Sequence, residues 1–225
     1  MNLTYVIIGF QLIAFLFAIS IHESAHAWMA SRCGDPTARM LGRVTLNPIK
    51  HIDLFGTVLL PIICAFTRFP IIGWAKPTPV DPRNFRNPVR DDILTSVAGP
   101  ASNLLVCLAS VVVLAVISAI SPAGRMVVQS YIHGMIYEAG ALTPIVLMLY
   151  QMMFINILLA IFNLIPIPPL DGSHVLRHAL PESARDMYDR IGLIGLFALL
   201  IFGGNFLWRL MAPVVGLFNA ILMRI

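Results

Sequence analysis

Residues 3–31 read LTYVIIGFQLIAFLFAISIHESAHAWMAS, and Glu23 is the only Asp, Glu, Lys or Arg among them. A helix needs about 20 predominantly apolar residues to cross the roughly 30 Å hydrocarbon core of a bilayer, and this stretch is long enough. A carboxylate at membrane depth costs about 2.5–3.5 kcal/mol or more, so Glu23 and the histidines beside it call for a chemical reason. The run has no basic leading segment and no small-residue cleavage signature, and it continues into a polar motif. It reads as a retained membrane helix rather than a signal peptide.

The remaining sequence has the same character. Of 225 residues, 58% are hydrophobic and 12% charged, and the mean hydropathy is +0.84. A soluble domain carries about 25% charged residues, so an ordinary soluble globule is excluded, and so is a disordered chain. Ile93–Gly124 and Ala139–Leu170 carry no charge, and Ile191–Leu207 and Leu210–Met223 are two further apolar stretches. A shorter run, Leu54–Thr67, continues past Arg68 to Ala75 and contains Pro61 and Pro70. The expected fold is an all-α polytopic membrane protein, a helical bundle in one domain spanning 1–225. The net charge of +4 comes without a Lys/Arg block interleaved with aromatics, so no nucleic-acid partner is expected. Cys33, Cys64 and Cys107 contain no C-x-x-C pair, which implies neither a disulfide framework nor a cysteine zinc site.

Two polar segments separate the apolar runs. In Arg39–Asp53, Val44 and Leu46 alternate with Arg43, Thr45 and Asn47, which predicts a small β segment ended by Asn47-Pro48. Trp74–Asp92, rich in Pro and Arg, reads as an irregular loop, and Pro181–Arg190 as a short amphipathic helical turn.

His22-Glu23-Ser24-Ala25-His26 is an H-E-x-x-H motif. Residues four apart on a helix lie one above the other, so both imidazoles can reach one metal ion, as in zinc sites with histidine ligands. Glu23 lies about 100° further round the helix, where it is aimed at a water on the metal rather than at the metal itself, as suits a general base. A shuffled chain of this composition would hold the motif roughly 0.002 times, so chance is a poor explanation.

A hydrolytic zinc site takes a third protein ligand and keeps one position open. The best candidate is Asp171, which follows Asn163-Leu-Ile-Pro-Ile-Pro-Pro-Leu170. The prolines bar a regular helix there, and irregular backbone at membrane depth is tolerated only where protein or a water cavity covers it. Asp171-Gly172 is equally a common turn pair. His174 can face the metal as a transition-state donor or be a loop residue, whereas His51, His133 and His178 read as loop or interfacial histidines. In Gly99-Pro100-Ala101-Ser102-Asn103 the small residues suit a helix start with close packing, and Asn103 can alternatively donate to a substrate or oxyanion. The methionines at 148, 152 and 153 read as packing.

For Asp171 to meet the end of the first helix, the chain must cross the membrane an even number of times between them. Ile93–Gly124 and Ala139–Leu170 supply two crossings, so Leu54–Ala75 is expected to be re-entrant, bent near Pro61. Charge agrees: Arg32–Arg90 holds nine Lys/Arg, joined by Arg177, Arg185 and Arg190, against Arg125 alone between the long central runs. The positive side is cytosolic, which puts the site near the cytosolic face. The reading leaves open whether Leu210–Met223 crosses or lies in the interface.

These residues resemble the site-2 protease family of intramembrane zinc metalloproteases, in its compact branch without a PDZ domain. The likeness rests on His22-Glu23-x-x-His26, Gly99-Pro100-x-x-Asn103 and Asn163…Pro166…Leu170-Asp171-Gly172. It covers a core of about 3–177 and leaves the C-terminal helices of 190–225 outside. The resemblance implies that His22, His26 and Asp171 bind Zn2+, that Glu23 is the catalytic base, and that the polar segment around Arg43–Asn47 is membrane-associated β-structure receiving substrate. The family often has Gly-Gly after the Asp, where this chain has Gly172-Ser173-His174.

The expected function is therefore zinc-dependent hydrolysis of peptide bonds in or near transmembrane segments, in a multi-pass protein of the prokaryotic cell (inner) membrane. The expected partners are the lipid bilayer and a membrane-protein substrate with a single span, by family analogy a regulatory protein such as an anti-sigma factor. The alternative is a membrane metal-binding protein or transporter without proteolysis, which would want more intramembrane polar groups than the long runs hold. A histidine-box di-iron oxidase is poorly supplied by six scattered histidines.

Overall fold

The computed structural model describes residues 3–67 and 73–225. In chain order its α-helices are α1 (Leu3–Cys33), α2 (Thr37–Met40), α3 (Leu60–Thr67), α4 (Pro88–Ile120), α5 (Pro122–Ile132), α6 (Leu142–Leu164), α7 (Asp171–Ala179), α8 (Glu182–Phe202) and α9 (Gly204–Arg224). A π-helical turn, Leu54–Leu59, leads into α3, and 3-10 turns lie at Pro48–Lys50 and Pro82–Asn84.

Local sequence explains the boundaries that matter for the site. α1 stops before Gly34, whose φ of 113° suits a residue without a side chain. α4 starts with Pro88 in its first turn, where a missing N–H loses no hydrogen bond. It then runs straight through Gly99-Pro100, so these residues lie inside a helix rather than at the start of one. α6 ends at Leu164 because the prolines at 166, 168 and 169 cannot continue it.

α1, α4 and α6 pack against one another as the central bundle. Ala14 and Ala18 on α1 are fully buried beside Ile155 of α6, and such small residues let helix backbones approach closely. Further along, Cys107 and Val111 of α4 meet Met153 and Ile157 of α6 and Met211 and Val215 of α9. At the far end Leu114 packs with Val127, Val128, Val146 and Leu222. The outside is apolar as well: Leu105 and Val112 on α4 are 67% and 60% exposed. Val6–Cys33, α4, α6 and α9 are each long and apolar enough to cross a membrane. α8 is not among them, because its first turns carry Glu182, Arg185, Asp186, Asp189 and Arg190. Ile191–Leu207, one run in the sequence, is divided at Gly203 between α8 and α9, and Leu210–Met223 falls within α9.

Two expectations are corrected. No strand occurs among the described residues, so the β segment at Arg43–Asn47 is absent. Its polar groups are engaged elsewhere: the Arg43 guanidinium donates to the carbonyls of Lys50, Lys76 and Pro77, and the Thr45 carbonyl accepts from Ser24 Oγ and His51 Nε2. Side-chain bonds of this kind compete with a strand ladder. The re-entrant stretch is likewise unsupported. Residues 54–67 form one continuous helical run that includes Pro61, and residues 68–72 of the expected loop lie outside those described. Beyond them, Trp74 N donates to Gly56 O and Thr57 Oγ1 donates to Trp74 O.

Candidate metal centre

His22 and His26 project from α1 one turn apart, and each ring is fixed through Nδ1 by α4. His26 Nδ1 lies 2.7 Å from the Thr95 carbonyl, which can only accept, so Nδ1 carries the proton. His22 Nδ1 lies 2.6 Å from Asn103 Oδ1. The orientation of Asn103 is set in turn, since its Nδ2 donates to Asn156 Oδ1 at 2.7 Å and to Ala18 O at 3.3 Å. Asn156 donates to Met152 O at 2.7 Å. His22 therefore also carries its proton on Nδ1.

Both Nε2 atoms are left with bare lone pairs, and they lie 3.0 Å apart. Asp171 faces them, with Oδ2 3.2 Å from His22 Nε2 and Oδ1 3.4 Å from His26 Nε2. Asp171 Oδ2 is buried without a hydrogen-bond partner, because its near neighbour is an acceptor too. The three side chains offer donor atoms all within 4.8 Å of one another. Three electron-rich atoms so close repel unless a cation lies among them, and two imidazole nitrogens with one carboxylate suit zinc with an open position. The residues present fit that metal.

Glycine makes the approach of α4 possible. A Cβ on Gly99 would lie 2.4 Å from His26 Nε2 and 2.7 Å from His22 Cε1. Asp171 is the first residue of α7. The turn before it folds back on α6 so closely that a Cβ on Gly172 would lie 2.2 Å from Leu164 O.

Glu23 stands beside this cluster, with Oε2 accepting from Thr78 N at 2.9 Å and Thr78 Oγ1 at 2.7 Å. His174, one turn after Asp171, has Nδ1 3.1 Å from Asp92 Oδ2, and His178 Nε2 reaches the same oxygen at 2.7 Å. The hydrogen bond to Asp92 raises the His174 pKa above the usual histidine value. His51 is fully buried, and burial pushes it the other way.

Of the residues singled out in the sequence, His22, His26 and Asp171 are brought together, with Glu23 and His174 at the margin. Asn103 is fully buried behind His22, its amide committed to protein partners. His178, read as a loop or interfacial histidine, joins His174 on Asp92. Sequence reading missed Thr78, Asp92, Thr95 and Asn156. Asp92 had a signal, an acidic residue at the threshold of an uncharged run; Thr95 had none, because it acts through its backbone.

The model of peptidase family M50 matches residues 10–202. Relatives of this chain carry the name Putative zinc metalloprotease. YwhC of Bacillus subtilis is 32% identical over 221 residues, covering 94% of this chain and 92% of the relative. Rip2 of Mycolicibacterium smegmatis is 30% identical over 187 residues, covering 81% of this chain and 62% of the relative. Rip2 of Mycobacterium tuberculosis is 27% identical over 188 residues, covering 83% and 64%. No solved structure matches the chain.

Proposed function

The chain belongs to peptidase family M50 as a site-2 protease-like zinc metalloprotease and integral membrane protein, and from that premise we propose that it cleaves peptide bonds within the membrane, in or near transmembrane segments of other proteins. One observation carries this reading: two histidine nitrogens with bare lone pairs and an aspartate converge on a single point beside apolar helices long enough to span the bilayer.

In this reading His22, His26 and Asp171 hold the zinc. The bound metal supplies Lewis acidity, lowering the pKa of a water toward about 7 and polarising the scissile carbonyl. Glu23 removes the proton of the attacking water and returns it to the leaving amine. His174 donates from Nδ1 to Asp92, and that bond raises its pKa; the imidazolium so favoured carries a second proton on Nε2 and donates it to the developing oxyanion. Asn103 acts on His22 rather than on substrate. A helical span hides its amides in internal hydrogen bonds, so the substrate unwinds locally before cleavage. The excess of Lys and Arg between α1 and α4 supports a site near the cytosolic face. A single-span membrane protein in a prokaryotic cell membrane is the substrate that fits this placement.

The decisive experiment uses the purified protein in detergent micelles with a synthetic single-span peptide carrying helix-weakening residues at mid-span. Glu23→Gln should retain one zinc per chain and lose about 10²–10⁴-fold in rate. Undiminished cleavage removes Glu23 from the mechanism. His174→Ala should lose about 10²–10³-fold in kcat at unchanged zinc content, and an unchanged kcat removes His174.

A further inference from the structure

The loop that crosses the end of α1 reaches the candidate base directly. Thr78 donates to Glu23 Oε2 from its backbone N at 2.9 Å and from its hydroxyl at 2.7 Å. The hydroxyl also lies 3.0 Å from the Glu23 carbonyl, but its single proton serves the carboxylate at the shorter distance. Two donors on one oxygen fix the plane of the carboxylate and leave Oε1 free to take a proton.

The loop is itself held firmly on both sides of Thr78. Upstream, Arg43 donates to the carbonyls of Lys76 and Pro77, and Lys76 N donates to His51 O at 2.9 Å. Downstream, Asp81 N and Asn84 Nδ2 donate to Asp35 at 2.8 and 2.9 Å, and Arg86 N donates to Cys33 O at 3.1 Å. Pro77 and Pro79 restrict the backbone immediately around Thr78. The hydroxyl therefore comes from a stiff strap, and Glu23, with three rotatable bonds of its own, takes its position from it.

We propose that Thr78 is a positioning residue for Glu23, holding its carboxylate in the orientation from which it exchanges a proton over the metal. This rests on Glu23 being the base, and the test separates the two claims. A peptidyl hydroxamate chelates zinc and shares a proton with a neighbouring basic carboxylate, so its affinity reports where that carboxylate stands without any need for turnover.

Hydroxamate affinity is measured on the full-length zinc-loaded protein in micelles, with zinc content determined in parallel. Thr78→Val, nearly isosteric, should weaken binding about tenfold, the effect of one charge-assisted hydrogen bond, at one zinc per chain. Thr78→Ser should restore wild-type affinity. In a Glu23→Ala background Thr78→Val should have no further effect, which a merely structural role for Thr78 would not produce. If Glu23→Ala binds like wild type, the base assignment falls and this proposal with it. If Glu23→Ala binds weakly while Thr78→Val matches wild type, or if Thr78→Val weakens binding equally in both backgrounds, only the role of Thr78 falls.

Discussion

Asn103 Oδ1 accepts the Nδ1 proton of His22 at 2.6 Å, at the end of a chain of amides running through Asn156 to the backbone of α6. This fixes the tautomer that exposes Nε2. Partners of this kind typically contribute 10–100-fold to metal affinity. Asn103→Ala should weaken zinc binding by about that factor, read by competition with a chromophoric chelator. An unchanged affinity would mean that His22 selects its tautomer without help.

Gly99 is tested by adding one methyl group. With Nε2 of His26 2.4 Å from where a Cβ would sit, Gly99→Ala must push α4 away from α1 or turn the imidazole. The protein should still enter membranes, because one added methyl only makes the helix slightly more apolar, yet hold far less zinc. Metal analysis beside circular dichroism checks this; full zinc occupancy in the variant would contradict the packing described here.

Asp35 gives a pH dependence with a definite sign. Its side chain is fully buried. Burial alone would raise its pKa, but hydrogen bonds from Thr37, Asn84 and Asp81 outweigh this and hold it below the ordinary carboxylate value. A depressed folded-state pKa means stability that is present above the unfolded value, about 3.9, and lost as pH falls through the folded one. Asp35→Asn should therefore cost about 1–3 kcal/mol near neutral pH. Thermal melts in detergent should show the gap from wild type closing only below about pH 4. A gap independent of pH would show that the charge of Asp35 is not what anchors the strap.

How far the sequence could be read depended on how local each signal was. The H-E-x-x-H spacing is intrinsic to one helix, and the structure placed those rings as the spacing implies. Asp171 was visible because three prolines isolate it at the end of an apolar run. The alternation at Arg43–Asn47 was too short to separate a strand from a loop whose side chains bond to distant carbonyls. Thr78 is 55 residues from Glu23, and no periodicity links a loop threonine to a helical glutamate. Asn103 stood out in the sequence, but its target did not: whether a buried amide faces substrate or a neighbouring ring depends on how α1 and α4 are placed against each other.

Both ring anchors, Thr95 and Asn103, ride on α4, eight residues and about 12 Å apart along its axis. They are two points on one rod, so a tilt or slide of α4 against α1 swivels the two imidazoles together. Tilt is how a spanning helix adapts to a thinner or thicker bilayer. Zinc affinity is therefore expected to follow acyl-chain length: titrations in vesicles of graded thickness should trace an optimum, and a flat response would show the two helices moving as one.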